Sequence, residues 1–198
     1  MSPALHVNEI LPGIFSWSAY SAEHRCELTS QAVRNDLDFL LFDPLPVSAE
    51  ILDGFRPIPP SAVVLTNDNH ERAAVEWKER FKIPVYGPAG SRMQIRGLRE
   101  VHSGSSPFSG WEVQSLAGGA PNELAWLLPE RSLAVFGDAV VNLRDRQLEL
   151  LPAKYCENSV CLRESIAHFI RRPFEHAVFA HGTPLLAAAA AKISKLIA

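Results

Sequence analysis

Cysteine is scarce in this chain: Cys26, Cys156 and Cys161 are an odd number with no C-x-x-C pair. A disulfide framework and a thiolate zinc motif are therefore not supported, and free thiols in a reducing compartment are expected. Long apolar runs are also missing, because the most apolar stretch, residues 184–191, is broken by Lys192 and falls short of the roughly 20 residues that span a bilayer. The opening MSPALHVNEILPGIF lacks the basic, apolar and small-residue regions of a secretory signal, so a cytoplasmic location is expected. No excess of basic charge exists: 19 Lys and Arg against 22 Asp and Glu leave a net charge of -3, which argues against a nucleic-acid partner. G-x-G-x-x-G and P-loop patterns are absent, and the serines at 103, 105 and 106 have no G-x-S-x-G elbow. A dinucleotide site, a phosphate-cradling loop and a serine hydrolase are unsupported.

What is present is the balance of a globular chain, with 47% hydrophobic and 21% charged residues over 198 positions, and one domain covering 1–198 is the default. Runs at 14–17, 26–33 and 39–42 read as strands, and Ala62-Val63-Val64-Leu65 as a strand buried on both faces. Ala74, Val75, Trp77 and Phe81 recur near helical spacing over 71–81, followed by a strand at 83–87. Alternation at 111–116 and apolar runs at 123–128 and 132–136 around Pro129-Glu130-Arg131 predict a strand and a hairpin. A helix over 161–171, a strand at 177–180 and an alanine-rich helix over 184–197 complete the pattern. Periodicity alone thus indicates a layered α/β or α+β core. Trp17, Trp77, Trp111 and Trp126 lie within apolar patterns and are expected in it, whereas His6, His24, His102, His168 and His176 have no supporting spacing.

The polar segments between these runs form an ordered set: Phe42-Asp43-Pro44; Thr66-Asn67-Asp68-Asn69-His70-Glu71-Arg72; Gly118-Gly119-Ala120-Pro121-Asn122; Gly137-Asp138; and His181-Gly182. In that order they resemble the metallo-β-lactamase superfamily, whose corresponding segments include T-H-x-H-x-D-H, P-G-H-T-P-G, G-D and G-H-G. The resemblance runs from about Ile10 to Pro184 and implies a four-layered αββα sandwich of the α/β (α+β) class. It implies Asp138 as the metal-bridging aspartate and His181 as the last histidine ligand. Asn67 and Asn69 stand where the family has its first two histidines, Glu71 where it has aspartate, Arg72 where the next histidine falls, and Gly119 where the third segment has histidine.

A neutral amide is a weak ligand for zinc and glycine offers no side chain, so the family's paired-metal hydrolysis does not carry over. The candidate cleft residues are Asn67, Asp68, Asn69, His70, Glu71, Arg72, Gly119, Asp138 and His181. Three readings follow from them. The favoured one is a pseudoenzyme without a cofactor that binds an unidentified small molecule in the inherited cleft. The second is a divergent hydrolase with a single divalent metal, zinc or manganese, on Asp138 and His181 with Asp68 and His70 as further ligands, acting on an ester, thioester or lactam-like carbonyl. The third is a metal-free anion-binding protein using Arg72 and a histidine. Arg72 is further expected to pair with Asp138 or Glu71 in place of the metal charge. No membrane partner is expected, and oligomeric state is open.

Only Asp138 and His181 survive at the matched ligand positions, so a dinuclear zinc centre is not expected. Elemental analysis of protein taken through gel filtration should give one zinc per chain or fewer; two retained equivalents would contradict this reading.

Overall fold

The structure, a computed structural model, describes residues 3–23, 25–143 and 147–197. His24 lies outside the described residues, so the reading of it as an ordinary histidine is not addressed. Seven strands form the first sheet in sequence order: β1 (Asn8–Leu11), β2 (Ile14–Ser21), β3 (Cys26–Arg34), β4 (Phe39–Phe42), β5 (Ala62–Val64), β6 (Val85–Pro88) and β7 (Arg99–Val101). The first four pair antiparallel, while β4, β5, β6 and β7 run parallel. The second sheet contains β8 (Glu112–Ser115), β9 (Leu124–Leu128), β10 (Leu133–Phe136) and β13 (His176–Phe179), in the order β13-β10-β9-β8, with β13 parallel to β10. A two-stranded ribbon joins β11 (Val140–Val141) and β12 (Glu149–Leu150).

Strand alternation accounts for the layering, since successive side chains leave a strand on opposite faces. Leu40, Phe42, Ala62 and Val64 from the first sheet meet Trp126, Leu128, Leu133 and Val135 from the second in one buried cluster between the sheets. The alternate residues Leu41 and Val63 turn outward onto the helices α1 (Ala49–Gly54) and α2 (Ala74–Phe81), where Ala74 and Trp77 are buried. On the far side, Ala125, Leu127, Ala134 and Phe136 pack against Leu162, Ile166 and Phe169 of α3 (Ser159–Phe169) and against Ala189 and Ile193 of α4 (Ala189–Ser194). Helix, sheet, sheet, helix is the resulting order, the four-layered sandwich that the sequence segments imply.

Local chemistry sets several boundaries. Ser48 caps α1 by accepting from the Ile51 amide, and Asn158 caps α3 by accepting from the Val160 and Cys161 amides. The helix expected over 71–81 starts only at Ala74. The terminal helix expected over 184–197 shrinks to Ala189–Ser194, because Leu185 exchanges two 2.8 Å backbone hydrogen bonds with Ala177 and so extends alongside β13. Helix α1 and the strands β1, β7, β11 and β12 were not anticipated, being short and weakly patterned.

All four tryptophans are buried. Trp126 is fully enclosed between the sheets, in edge contact with Phe42 and Trp111, and its Nε1–H has no hydrogen-bond partner among the described residues. Trp126→Ala should therefore cost about 3 to 5 kcal/mol by opening a cavity. Trp126→Phe removes the unsatisfied donor along with part of the ring and should cost about 1 to 2 kcal/mol. Urea unfolding of both variants checks the difference; a loss in Trp126→Phe as large as in Trp126→Ala would contradict this account.

Candidate functional site

Two pairs of parallel strands end at the same edge of the sandwich. Strand β4 ends just before Asp43 and the adjacent parallel β5 just before the loop that carries Thr66, Asn67 and His70; β10 ends just before Gly137 and Asp138, and its parallel neighbour β13 just before Ala180 and His181. Side chains on the C-terminal loops of both sheets are thereby brought together. Gly137 is required at this junction, because a Cβ there would lie 2.5 Å from Thr66 Oγ1 and 2.6 Å from Glu123 Oε1.

Asp138 is the centre of the cluster. Its Oδ1 lies 3.1 Å from His70 Nε2 and 2.9 Å from His181 Nε2, and the two imidazole rings are 5.7 Å apart, centre to centre. His70 is 3% exposed and uses its other nitrogen as well, with Nδ1 2.9 Å from Asp43 Oδ2 and 3.0 Å from Thr66 Oγ1. Asp43, at a φ of +46°, accepts from both the amide and the hydroxyl of Thr66, which fixes the carboxylate. The second oxygen of Asp138 accepts from Asn67 Nδ2 at 3.0 Å, and the same amide nitrogen donates to Glu123 Oε2 at 2.9 Å. Glu123 also accepts from the Ala139 amide. On the outer side, Cys26 Sγ lies 3.8 Å from His181 Nδ1.

The charges are strongly coupled. Burial opposes charge on His70, but the Asp138 and Asp43 carboxylates outweigh it and carry the ring up to about 9. The reciprocal effect dominates over burial at the two aspartates, which are held below the usual carboxylate range. Burial, with the charge of Asp138 added, pushes Glu123 up to about 8. Burial lowers His181 despite its bond to Asp138, and raises the Cys26 thiol.

The sequence candidates are distributed unevenly around this cluster. His70, Asp138 and His181 offer three ligand atoms that all lie within 4.8 Å of one another. Asn67 is buried against them, acting as a hydrogen-bonding spacer rather than a ligand. Asp68 is not part of the group, since its Oδ2 accepts from Asn122 Nδ2 and the Arg92 amide on a neighbouring loop. Asn69 is exposed, and Gly119 packs under Glu123. Arg72 corrects the charge expectation: it forms no ion pair with Asp138 or Glu71. Its Nη1 donates to the carbonyls of Thr29 at 2.6 Å and Asp43 at 2.9 Å, and Nη2 to that of Ala180 at 3.1 Å. The side chain placed between the two aspartates is that of His70. Asp43, Glu123 and Cys26 were not named as candidates; the Asp43-Pro44 step after a strand was the available signal for the first, and nothing in spacing pointed to the others.

The sequence profile described as "Metallo-beta-lactamase superfamily" matches residues 7–172. The chain belongs to the metallo-β-lactamase superfamily. No curated protein matches it in sequence. Among solved structures, it is similar to the DIM-1 metallo-β-lactamase exposed to ceftazidime, with a TM-score of 0.79 and 15% identity over 98% of this chain and 97% of that one. It is also similar to the mono-zinc form of the metallo-β-lactamase FIM-1 from Pseudomonas aeruginosa, with a TM-score of 0.75 and 14% identity over 99% and 95%. The Erythrobacter litoralis metallo-β-lactamase gives a TM-score of 0.71 and 13% identity over 96% and 91%. At these identities the likeness is one of fold. The metallo-β-lactamases of this superfamily use zinc, and His70, Asp138 and His181 are the residues here whose donor atoms converge. No helix among the described residues is long and apolar enough to cross a membrane.

The proton balance of the metal-stripped cluster has a measurable sign. Between the ordinary carboxyl value of 4.5 and about 8, Glu123 keeps a proton that the unfolded chain releases; from 6.5 to about 9 His70 does the same. In both windows the folded state binds more protons, so stability falls as pH rises. Thermal midpoints of metal-stripped protein should drop from pH 6 to pH 9, and Glu123→Gln should flatten the part below about pH 8. A midpoint that rises over this range would contradict the assignment.

Proposed function

We propose that the chain is a one-metal member of the superfamily in which His70, Asp138 and His181 hold a single divalent ion, zinc or manganese, and the cleft hydrolyses an ester, thioester or lactam-like carbonyl of a small molecule. The observation that carries this reading is the convergence of two imidazole Nε2 atoms on one carboxylate oxygen, at 3.1 and 2.9 Å, with Asp43 behind His70 Nδ1. Neutral imidazole and carboxylate both present lone pairs toward that point, so something positive belongs there: a proton or a metal ion. A carboxylate at Nδ1 selects the tautomer with a free Nε2, which is the arrangement that orients metal-binding histidines. Two nitrogens and one oxygen fit one zinc with an open position, whereas Asn67, Asn69 and Gly119 supply nothing for a second.

A divalent ion at this point would supply Lewis acidity and acidify water. The remaining groups have separable tasks. Asp43 orients His70, Asn67 bridges the Asp138 and Glu123 carboxyls, and Glu123 lies beside Asp138 as a group that can donate or take a proton. FIM-1, a protein of similar fold, has a mono-zinc form, which supports a single ion being held in this architecture.

The metal-free pseudoenzyme remains the second reading, favoured by the closure of the cluster upon itself: protonated His70 and Arg72 offset Asp43 and Asp138 without an ion. The anion-binding reading has less support, because three of the Arg72 hydrogen bonds are committed to backbone carbonyls. Metal analysis of protein prepared without chelator or a metal-binding tag separates the first two. One equivalent of zinc or manganese is expected, abolished in His181→Ala, strongly weakened in His70→Ala, weakened about 10- to 100-fold in Asp43→Asn and unchanged in Asp68→Ala. Zero equivalents, with no saturable zinc or manganese uptake by the stripped protein, would leave the pseudoenzyme reading.

A further inference from the structure

We infer that Arg72 is the positioning residue that sets the spacing between His70 and His181, acting as a mechanical tie at the place where the motif T-H-x-H-x-D-H has its last histidine. The inference rests on the one-metal reading above. Arg72 sits two residues beyond His70 on the same loop, with a left-handed backbone at φ +42° that turns its side chain inward. The guanidinium then grips three separate segments by their carbonyls: Thr29 in β3, Asp43 at the end of β4, and Ala180, the residue immediately before His181. One rigid fork thus connects the His70 loop, the segment that carries the Asp43 carboxylate, and the strand end that carries His181. Lysine, whose three N–H donors all sit on one nitrogen, cannot reproduce the two-nitrogen fork that reaches these acceptors.

Strand β3 is tied to the same strand end independently, through Thr29 N to Ala180 O at 2.8 Å, Gln31 Nε2 to Phe179 O at 2.6 Å, and Gly182 N to Thr29 Oγ1 at 3.2 Å. None of those bonds includes the His70 loop. Loss of Gln31 therefore weakens the junction between the sheets without loosening the two histidines relative to each other, while loss of Arg72 loosens them directly.

Electrostatics makes the test discriminating. The positive charge of Arg72 interacts with Asp138, so a charge effect alone would make Arg72→Ala bind a divalent cation more tightly. The tie predicts the reverse. Zinc and cobalt affinities of stripped wild type, Arg72→Ala, Arg72→Lys and Gln31→Leu are measured by competition titration, with the cobalt absorption spectrum as a report on the ligand set and amide exchange at 180–182 as a report on the strand end. Both Arg72 variants are expected to bind at least about tenfold more weakly, with an altered cobalt spectrum and faster amide exchange; Gln31→Leu should lower the thermal midpoint but keep wild-type affinity and spectrum. Millimolar methylguanidinium should recover part of the affinity of Arg72→Ala. If Arg72→Ala does not fold, Arg72→Lys, which keeps the charge and loses the fork, gives the same readout. Wild-type or tighter affinity in folded Arg72 variants, or an equal loss in Gln31→Leu, would overturn the inference. Should wild type itself take up no metal, the one-metal reading fails, and unchanged exchange at 180–182 in Arg72→Lys would then sink the tie on its own.

Discussion

A single carboxylate oxygen, Oδ1 of Asp138, organises this protein's cleft. It is shared by two histidines from different halves of the chain, at 3.1 and 2.9 Å, in surroundings that exclude most water. An ionised carboxylate in such a place is costly unless its charge is compensated. The neighbouring arrangement follows from that constraint. His70 is held between Asp138 and Asp43, burial and the Asp138 charge favour the neutral form of Glu123, and Asn67 provides a neutral donor to both carboxyls.

The fold makes this concentration of charge possible by geometry alone. Parallel neighbours end side by side, so β4 and β5 deliver Asp43 and the Thr66–Arg72 loop to one place, and β10 and β13 deliver Asp138 and His181 opposite them. The four apolar layers behind, with a core shared by both sheets and separate clusters under each helical layer, leave the loops to carry the polar chemistry. The frame is shared with DIM-1 at a TM-score of 0.79 and only 15% identity, because layering asks for apolar alternation rather than for particular residues.

The replacement of Arg72's expected partner is instructive. A guanidinium one step from Glu71 and near Asp138 suggests an ion pair, but it is the His70 ring that lies between the Asp43 and Asp138 carboxylates. Arg72 instead satisfies backbone carbonyls that no other described side chain except the Ser30 hydroxyl, at Asp43, reaches. Carbonyl positions depend on three distant segments, so residue type and spacing could not reveal them. Asp68 failed as a candidate for a similar reason: its i, i+2 relation to His70 matches a ligand pair, yet a turn directs its carboxylate toward Asn122 and the Arg92 amide.

By itself, the sequence determined the layered architecture, because apolar alternation in strands and an ordered set of polar loop segments are local properties that survive without a three-dimensional frame. Residue type also raised the expectation that a paired-metal centre would lack its ligands, since amide and glycine cannot substitute for imidazole at Asn67, Asn69 and Gly119. Tertiary structure decided that of the two further ligands the sequence offered His70, and not Asp68, joins Asp138 and His181, that Asp43 stands behind it, and that Glu123 and Cys26 border the cluster. Those contacts join residues separated by as many as 155 positions, and each depends on which face of a loop turns inward, a choice made by backbone hydrogen bonds and packing rather than by the identity of the residue.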